Sequence, residues 1–158
     1  MQGNYTWDEL NTRFDELLAL YPNIISERLV IGQSIEGRDI WAFKVSDNPN
    51  TNEDEPEVLY TSLIHAREPL SMMNLFYFVQ KMGEGYNSDE ELTYLVNNRE
   101  MWFIPVVNPD GYVFNELIEP FGGGMHRKNR KNTNCGNGTM RGVDLNRNFG
   151  YEWGANNT

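Results

Sequence analysis

Apolar positions recur at helical spacing at Leu10, Phe14, Leu17 and Leu18, directly behind Thr6-Trp7-Asp8-Glu9. A threonine followed three residues later by a glutamate can satisfy two orphan N–H groups reciprocally, so a helix is predicted over 7–20, stopped by Tyr21-Pro22. Residues 28–35 and 39–45 alternate or run apolar on either side of Glu36-Gly37 and predict two strands joined by a tight turn. A polar stretch, 47–56, leads into the short apolar run 58–64, expected as a buried strand ending at His65. Residues 70–82 are apolar on most faces and predict a helix packed on more than one side, ended by Gly83 and Gly85. Ser88-Asp89-Glu90-Glu91 resembles another capping box, opening a shorter helix through Leu92, Leu95 and Val96. Residues 101–107 predict a second buried strand, closed by a turn at Asn108-Pro109-Asp110-Gly111. From Tyr112 onward glycine and asparagine dominate and little regular structure is expected. Strands alternating with helices after an initial hairpin indicate an α/β domain with a mixed sheet.

Composition narrows the function classes. With 158 residues, 39% hydrophobic and 13% aromatic, the chain has material for a packed core and is one domain or less. No apolar run approaches the roughly 20 residues that span a bilayer, and a net charge of -10 argues against general affinity for nucleic acid or anionic membrane. The single cysteine, Cys135, excludes an intrachain disulfide. Acids concentrate in the first 60 residues, whereas Arg127, Lys128, Arg130, Lys131 and Arg141 stand in a segment without any. Asparagines rather than aromatics separate those bases, which weakens a nucleic-acid reading of the loop.

Three groups of residues carry candidate chemistry. In His65-Ala66-Arg67-Glu68, an imidazole and a carboxylate three residues apart behind a rigid strand can turn toward one zinc ion, or form an exposed pair at a strand end. In Asp144-Leu145-Asn146-Arg147-Asn148, an amide beside a guanidinium can grip a planar carboxylate, or belong to an asparagine-rich turn. Arg127 can aim a fixed charge at a developing oxyanion, or sit in a solvated basic loop.

Taken together these blocks resemble the zinc metallocarboxypeptidases, most closely the branch containing carboxypeptidases A, B and T. The resemblance rests on His-Ala-Arg-Glu-Pro at 65–69, Asn-Pro-Asp-Gly-Tyr at 108–112, Arg127-Lys128 and Gly-Val-Asp-Leu-Asn-Arg-Asn at 142–148, in that order. It implies a mixed-sheet α/β/α sandwich, of which residues 1–158 would be the amino-terminal part. It implies His65 and Glu68 as ligands of one Zn2+, with Asp144 bonded to the histidine's other ring nitrogen. Arg67 would line the substrate site, Arg127 would hold the oxyanion, and Asn146 with Arg147 would grip the substrate's terminal carboxylate. The partners implied are peptide or protein C-termini, with no nucleic acid and no membrane, and the location is extracellular or periplasmic.

The resemblance also implies parts that these residues do not contain. The third zinc ligand, the glutamate base and the floor of the specificity pocket fall later in the family's pattern. His126, beside the arginine, is out of order for the ligand and is expected in a loop or at a rim. Strands later in the family's sequence lie beside the one preceding His65, so that strand is expected to leave its edge and apolar faces uncovered and open to self-association. The activity implied is hydrolysis of C-terminal residues from peptides, by an enzyme of which this chain is an incomplete and by itself inactive portion. The alternative is a catalytically dead remnant that binds C-terminal carboxylates.

Overall fold

The computed structural model describes residues 3–134, 140–151, 153 and 154; Cys135 lies outside them. Helix α1 (Trp7–Leu20) opens on the capping box, with Thr6 Oγ1 accepting from Glu9 N at 3.2 Å and Glu9 Oε2 from Thr6 N at 2.7 Å. Thr6→Ala is expected to cost about 1 kcal/mol, read as a lowered urea midpoint; an unchanged midpoint would mean the cap is not needed.

Strands β1 (Leu29–Gln33), β2 (Asp39–Val45), β3 (Glu57–Thr61) and β4 (Glu100–Ile104) form one sheet in the order β1-β2-β4-β3. The first two interfaces are antiparallel and β3–β4 is parallel, so the sheet is mixed. The parallel crossover carries α2 (Leu70–Gly85) and α3 (Glu90–Asn98), and α4 (Pro109–Ile118) follows β4.

The pleat sends Trp41, Phe43, Val45, Met101 and Phe103 to one face, where they meet the buried stripes of α1 and α2. Aromatic rings line this face. Phe14 of α1 packs 5.0 Å from Trp41 and 4.9 Å from Phe43, and Phe103 stacks between Phe43 and Tyr60. On the opposite face Leu59 is 60% exposed, and β3 is an edge strand. The expected open edge is present. The strand is shorter than the run 58–64, and its exposed Leu59 fits the expected uncovered apolar face rather than the buried strand that the run alone predicts.

Also on that second face, Lys44 and Glu100 are buried as an ion pair of 2.6 Å beneath the polar loop 47–56. Lys44 also donates to the Thr51 carbonyl, and Glu53 N donates to Glu100 Oε1 at 2.9 Å.

Three helical expectations change. Asn108 is an N-cap rather than part of a turn, its Oδ1 accepting from Gly111 N at 3.1 Å, and Pro109 starts α4 where little regular structure was expected. The glycine in the first turn hid that helix. Helix α2 continues through Gly83 and ends at Gly85, the second of the two expected stops. A Cβ on Gly83 would stand 2.5 Å from the Tyr21 ring, so this glycine serves helix packing. The cap of α3 is Asp89, bonded to Leu92 N, and not Ser88. Buried Asp110 then ties α4 to the β1–β2 turn, accepting from Ser34 Oγ, Glu36 N and Arg38 Nη1 at 2.6–3.0 Å.

Candidate active site

Beyond β3 the chain turns away from the sheet at Leu63, which is buried with φ +50, a conformation rare for a branched side chain. Its N–H donates to Ser71 Oγ and its carbonyl accepts from Asn108 N, both at 3.1 Å. The neighbours thus hold a backbone shape the residue itself disfavours. That bend delivers His65, 8% exposed, to the end of the sheet.

The segment 126–130 lies directly against this bend. Ala66 N donates to Arg127 O at 3.1 Å, and Asn108 Nδ2 donates to Lys128 O at 2.9 Å. Any side chain at Gly111 would strike that same Lys128 carbonyl, its Cβ only 2.6 Å away. His126 lies in a loop, one of its two expected places, but it is fully buried rather than at a rim. Its backbone is gripped by both ends of the Asn115 amide, its Nε2 lies 3.2 Å from Asn129 O, and its ring meets Phe114 edge-on.

Asn129 then captures the last segment. Its N–H donates to Val143 O at 3.0 Å, and its Oδ1 accepts from Val143 N at 2.8 Å. Gly142 passes underneath with φ +105, and a Cβ there would lie 1.8 Å from Asn129 O. Only glycine fits. The pairing places Asp144 beside Arg127, where it also caps the short 3-10 helix Leu145–Arg147 by accepting from Asn146 N at 3.0 Å.

Four of the seven predicted site residues therefore form one continuous chain of contacts. Arg127 Nε donates to Asp144 Oδ2 at 2.8 Å, Asp144 Oδ1 lies 3.2 Å from His65 Nε2, and His65 Nδ1 lies 3.1 Å from Glu68 Oε2. Arg127 Nη1 closes the ring at 3.6 Å from Glu68 Oε1. Burial pushes the Asp144 carboxyl up, but the hydrogen bond and charge of Arg127, the Asn146 N–H and His65 outweigh it. The net effect holds Asp144 below its ordinary value, as an anion facing the imidazole.

An anion on Nε2 favours a proton there and leaves the Nδ1 lone pair facing Glu68. Glu68 is about half exposed, so the Nδ1–Oε2 pair opens toward solvent. One nitrogen and one oxygen donor with open positions beside them suit zinc as a half-site. Among the described residues no three His, Cys, Asp or Glu side chains are grouped so as to hold a metal ion by themselves.

The other three predicted residues stand apart. Arg67 is exposed and lines a cleft of about 200 Å³ with Pro69, Tyr112, Gly123 and Met125. Asn146 and Arg147 are exposed, and the Arg147 guanidinium donates to the Asn146 carbonyl at 2.9 Å. Among the described residues neither side chain bonds to the His65 cluster. The adjacent backbone does, through Asn146 N. Sequence reasoning missed Asn108, Ser71, Asn115, Asn129 and Gly142, the residues that hold the three segments in register. Of these, Asn108 and Gly142 stand in blocks that carry the family resemblance, and Asn108 also directly precedes a proline at a helix start.

The family model described as zinc carboxypeptidase matches residues 10–158. The chain belongs to the zinc carboxypeptidase family. It is 39% identical over 153 residues to the zinc carboxypeptidase of Saccharothrix mutabilis subsp. capreolus, covering 97% of this chain and 34% of that protein. Identity to carboxypeptidase A2 of Rattus norvegicus is 34% over 154 residues, covering 98% of this chain and 34% of that one. The crystal structure of carboxypeptidase A from Helicoverpa armigera superposes with a TM-score of 0.76 at 32% identity, covering 97% of this chain and 35% of that one. The zinc carboxypeptidase fold seen here thus spans about a third of the length of the relatives it matches.

Proposed function

We propose that the protein to which these residues belong is a zinc metallocarboxypeptidase that hydrolyses the C-terminal peptide bond of peptides and proteins. The observation that carries this reading is the unbroken sequence of contacts Arg127–Asp144–His65–Glu68, which pairs a metal-directed imidazole with a fixed cation. His65 Nδ1 and Glu68 would hold the zinc, which when bound polarises a carbonyl and acidifies a water. Asp144 keeps the proton on Nε2 and orients the ring. Arg127, already aligned by Asp144, presents its Nη1 toward Glu68 and so toward the place of the substrate's scissile carbonyl. Asn146 and Arg147, free of other side-chain partners among the described residues, are available to a terminal carboxylate; Arg67 borders the cleft where the preceding residues would lie. A carboxylate clamp selects chain ends, because an internal bond offers nothing to satisfy its charges.

Substrates are then peptide or protein C-termini, and the expected place of action is extracellular or periplasmic. The exposed β3 edge is available for pairing with a further strand of the same protein or a second copy.

Zinc titration tests the half-site without needing turnover. Saturable binding at one site is expected, weakened about 10- to 100-fold by Asp144→Asn, which disturbs the tautomer while keeping the shape. Binding that His65→Ala leaves unchanged would overturn the ligand assignment. Hydrolysis of a blocked dipeptide by the full-length protein separates an enzyme from a remnant that only binds carboxylates.

A further inference from the structure

Asp144 accounts for the aim of the His65 ring, but the side-chain contacts of Glu68 do not account for its own place. Glu68 is about half exposed and, among the described residues, its carboxylate meets only His65 Nδ1 at 3.1 Å and Arg127 Nη1 at 3.6 Å. Both contacts lie within the site and are the ones a metal ion or a substrate would replace. The placing of Glu68 relative to His65 therefore falls to the backbone. Glu68 N donates to the His65 carbonyl at 3.1 Å, closing a turn, and Ala66 N donates to Arg127 O. These bonds join the turn to itself and to a neighbouring loop, and neither ties it to a packed element.

One hydroxyl makes that connection. Ser71 stands in the first turn of α2, whose N-cap, Pro69, makes no side-chain hydrogen bond to the helix. Its Oγ donates to the Glu68 carbonyl at 2.8 Å, three residues back, and accepts from Leu63 N at 3.1 Å. A serine hydroxyl has one proton and two lone pairs, so both bonds form at once. They grip the chain on either side of His65, two residues before it and at the glutamate itself. The next residue, Met72, is fully buried, and Leu75 and Phe76 continue the same helix into the core. Ser71 thus carries the position of a packed helix to an exposed loop. Leu63 makes the grip matter. At φ +50 it holds a conformation its branched side chain disfavours, and relaxing it would swing the chain that follows, His65 first.

We propose that Ser71 is a positioning residue of the metal half-site: its hydroxyl, bonded at once to Leu63 N–H and the Glu68 carbonyl, fixes the spacing of His65 and Glu68. The proposal rests on the reading of those two residues as zinc ligands. Ser71 touches neither the metal-directed atoms nor a substrate, and acts only through the backbone on both sides of the histidine. Without the hydroxyl, the Leu63 N–H loses its partner and the Glu68 carbonyl keeps only the longer bond from Ser71 N, 3.3 Å. The two ligands then sample many separations, and holding them at one separation is a cost that metal binding has to meet.

The test is a zinc titration of the full-length protein and its Ser71 variants, well below the unfolding midpoint so that only folded protein is measured. Ser71→Ala is expected to weaken zinc about 10-fold or more, as removing a support of a metal ligand does. Ser71→Thr should bind as the parent does, because a threonine hydroxyl in a helix can bond the carbonyl three or four residues back. Ser71→Cys fills the same space with a weak donor and acceptor, so it should fall with alanine and replaces it if that variant does not fold. A serine needed only for stability would lower the unfolding midpoint and leave the affinity of the folded protein alone. Amide exchange in the metal-free protein checks the clamp without zinc: Leu63 N–H should lose protection in Ser71→Ala and keep it in Ser71→Thr. Zinc affinity unchanged in Ser71→Ala, or lowered equally in Ser71→Thr, would overturn the proposal. A wrong ligand assignment shows separately, as binding that His65→Ala leaves intact; binding lost with His65→Ala but kept with Ser71→Ala would sink the positioning role alone.

Discussion

If the proposed reading holds, Arg127→Ala in the full-length protein is expected to lower kcat about 10²- to 10³-fold with a smaller change in KM, the pattern for a donor that acts chiefly on the developing oxyanion. The structure adds a second consequence. Arg127 Nε supplies the hydrogen bond that holds Asp144 Oδ2, so its removal also loosens the carboxylate that orients His65. The two effects separate in a zinc titration. If Arg127 acts only by orienting Asp144, the rate loss should be recovered at saturating zinc. If it acts on the substrate, the loss persists. Arg127→Lys keeps the charge but lacks the planar fork that spans Asp144 and Glu68, so it should recover only part of the rate. An alanine variant with an unchanged kcat would remove Arg127 from the proposed chemistry.

Lys44→Met is expected to destabilise the fold by about 3–5 kcal/mol, because it strands the Glu100 carboxylate in a fully buried position. The cost belongs to the broken pair rather than to the lysine. Pairing Lys44→Met with Glu100→Leu should therefore return most of the stability, since a buried ion pair replaced by apolar side chains of similar bulk is often neutral. Chemical denaturation of the two single variants and the double variant measures the difference. A double variant as unstable as the single one would show that the loop 47–56, which donates through Glu53 N and accepts through Thr51 O, depends on these charges for its own conformation.

The layout of elements was legible wherever local periodicity and tertiary burial agreed. Leu10, Phe14 and Leu17 fall on one stripe of α1 and all three are buried, and Thr6 with Glu9 caps the helix as their spacing predicts. Disagreement came where burial depends on what packs from far away. The apolar run at 58–64 gives no sign that Leu59 faces an uncovered side, or that the chain leaves the sheet at Leu63 in a left-handed turn. Helix α4 was hidden because Asn108-Pro109-Asp110-Gly111 satisfies turn chemistry as well as it satisfies capping chemistry. At the site, His65, Glu68, Arg127 and Asp144 were found from their residue types and order, and the structure joins them. Their supports were not found. An asparagine that pairs with a backbone segment 14 residues away has no local signature, and Asn129 is one among many asparagines in its stretch.

The bracket between Asn129 and Val143 also separates two things that loops usually confuse, reach and aim. Whatever route the chain takes from Arg130 to Arg141, it must return to the same amide, and Asp144 follows one residue later. Closing a longer excursion costs only about 0.6 kcal/mol for each doubling of its length. That excursion can therefore lengthen at small cost while the carboxylate behind the imidazole stays in register.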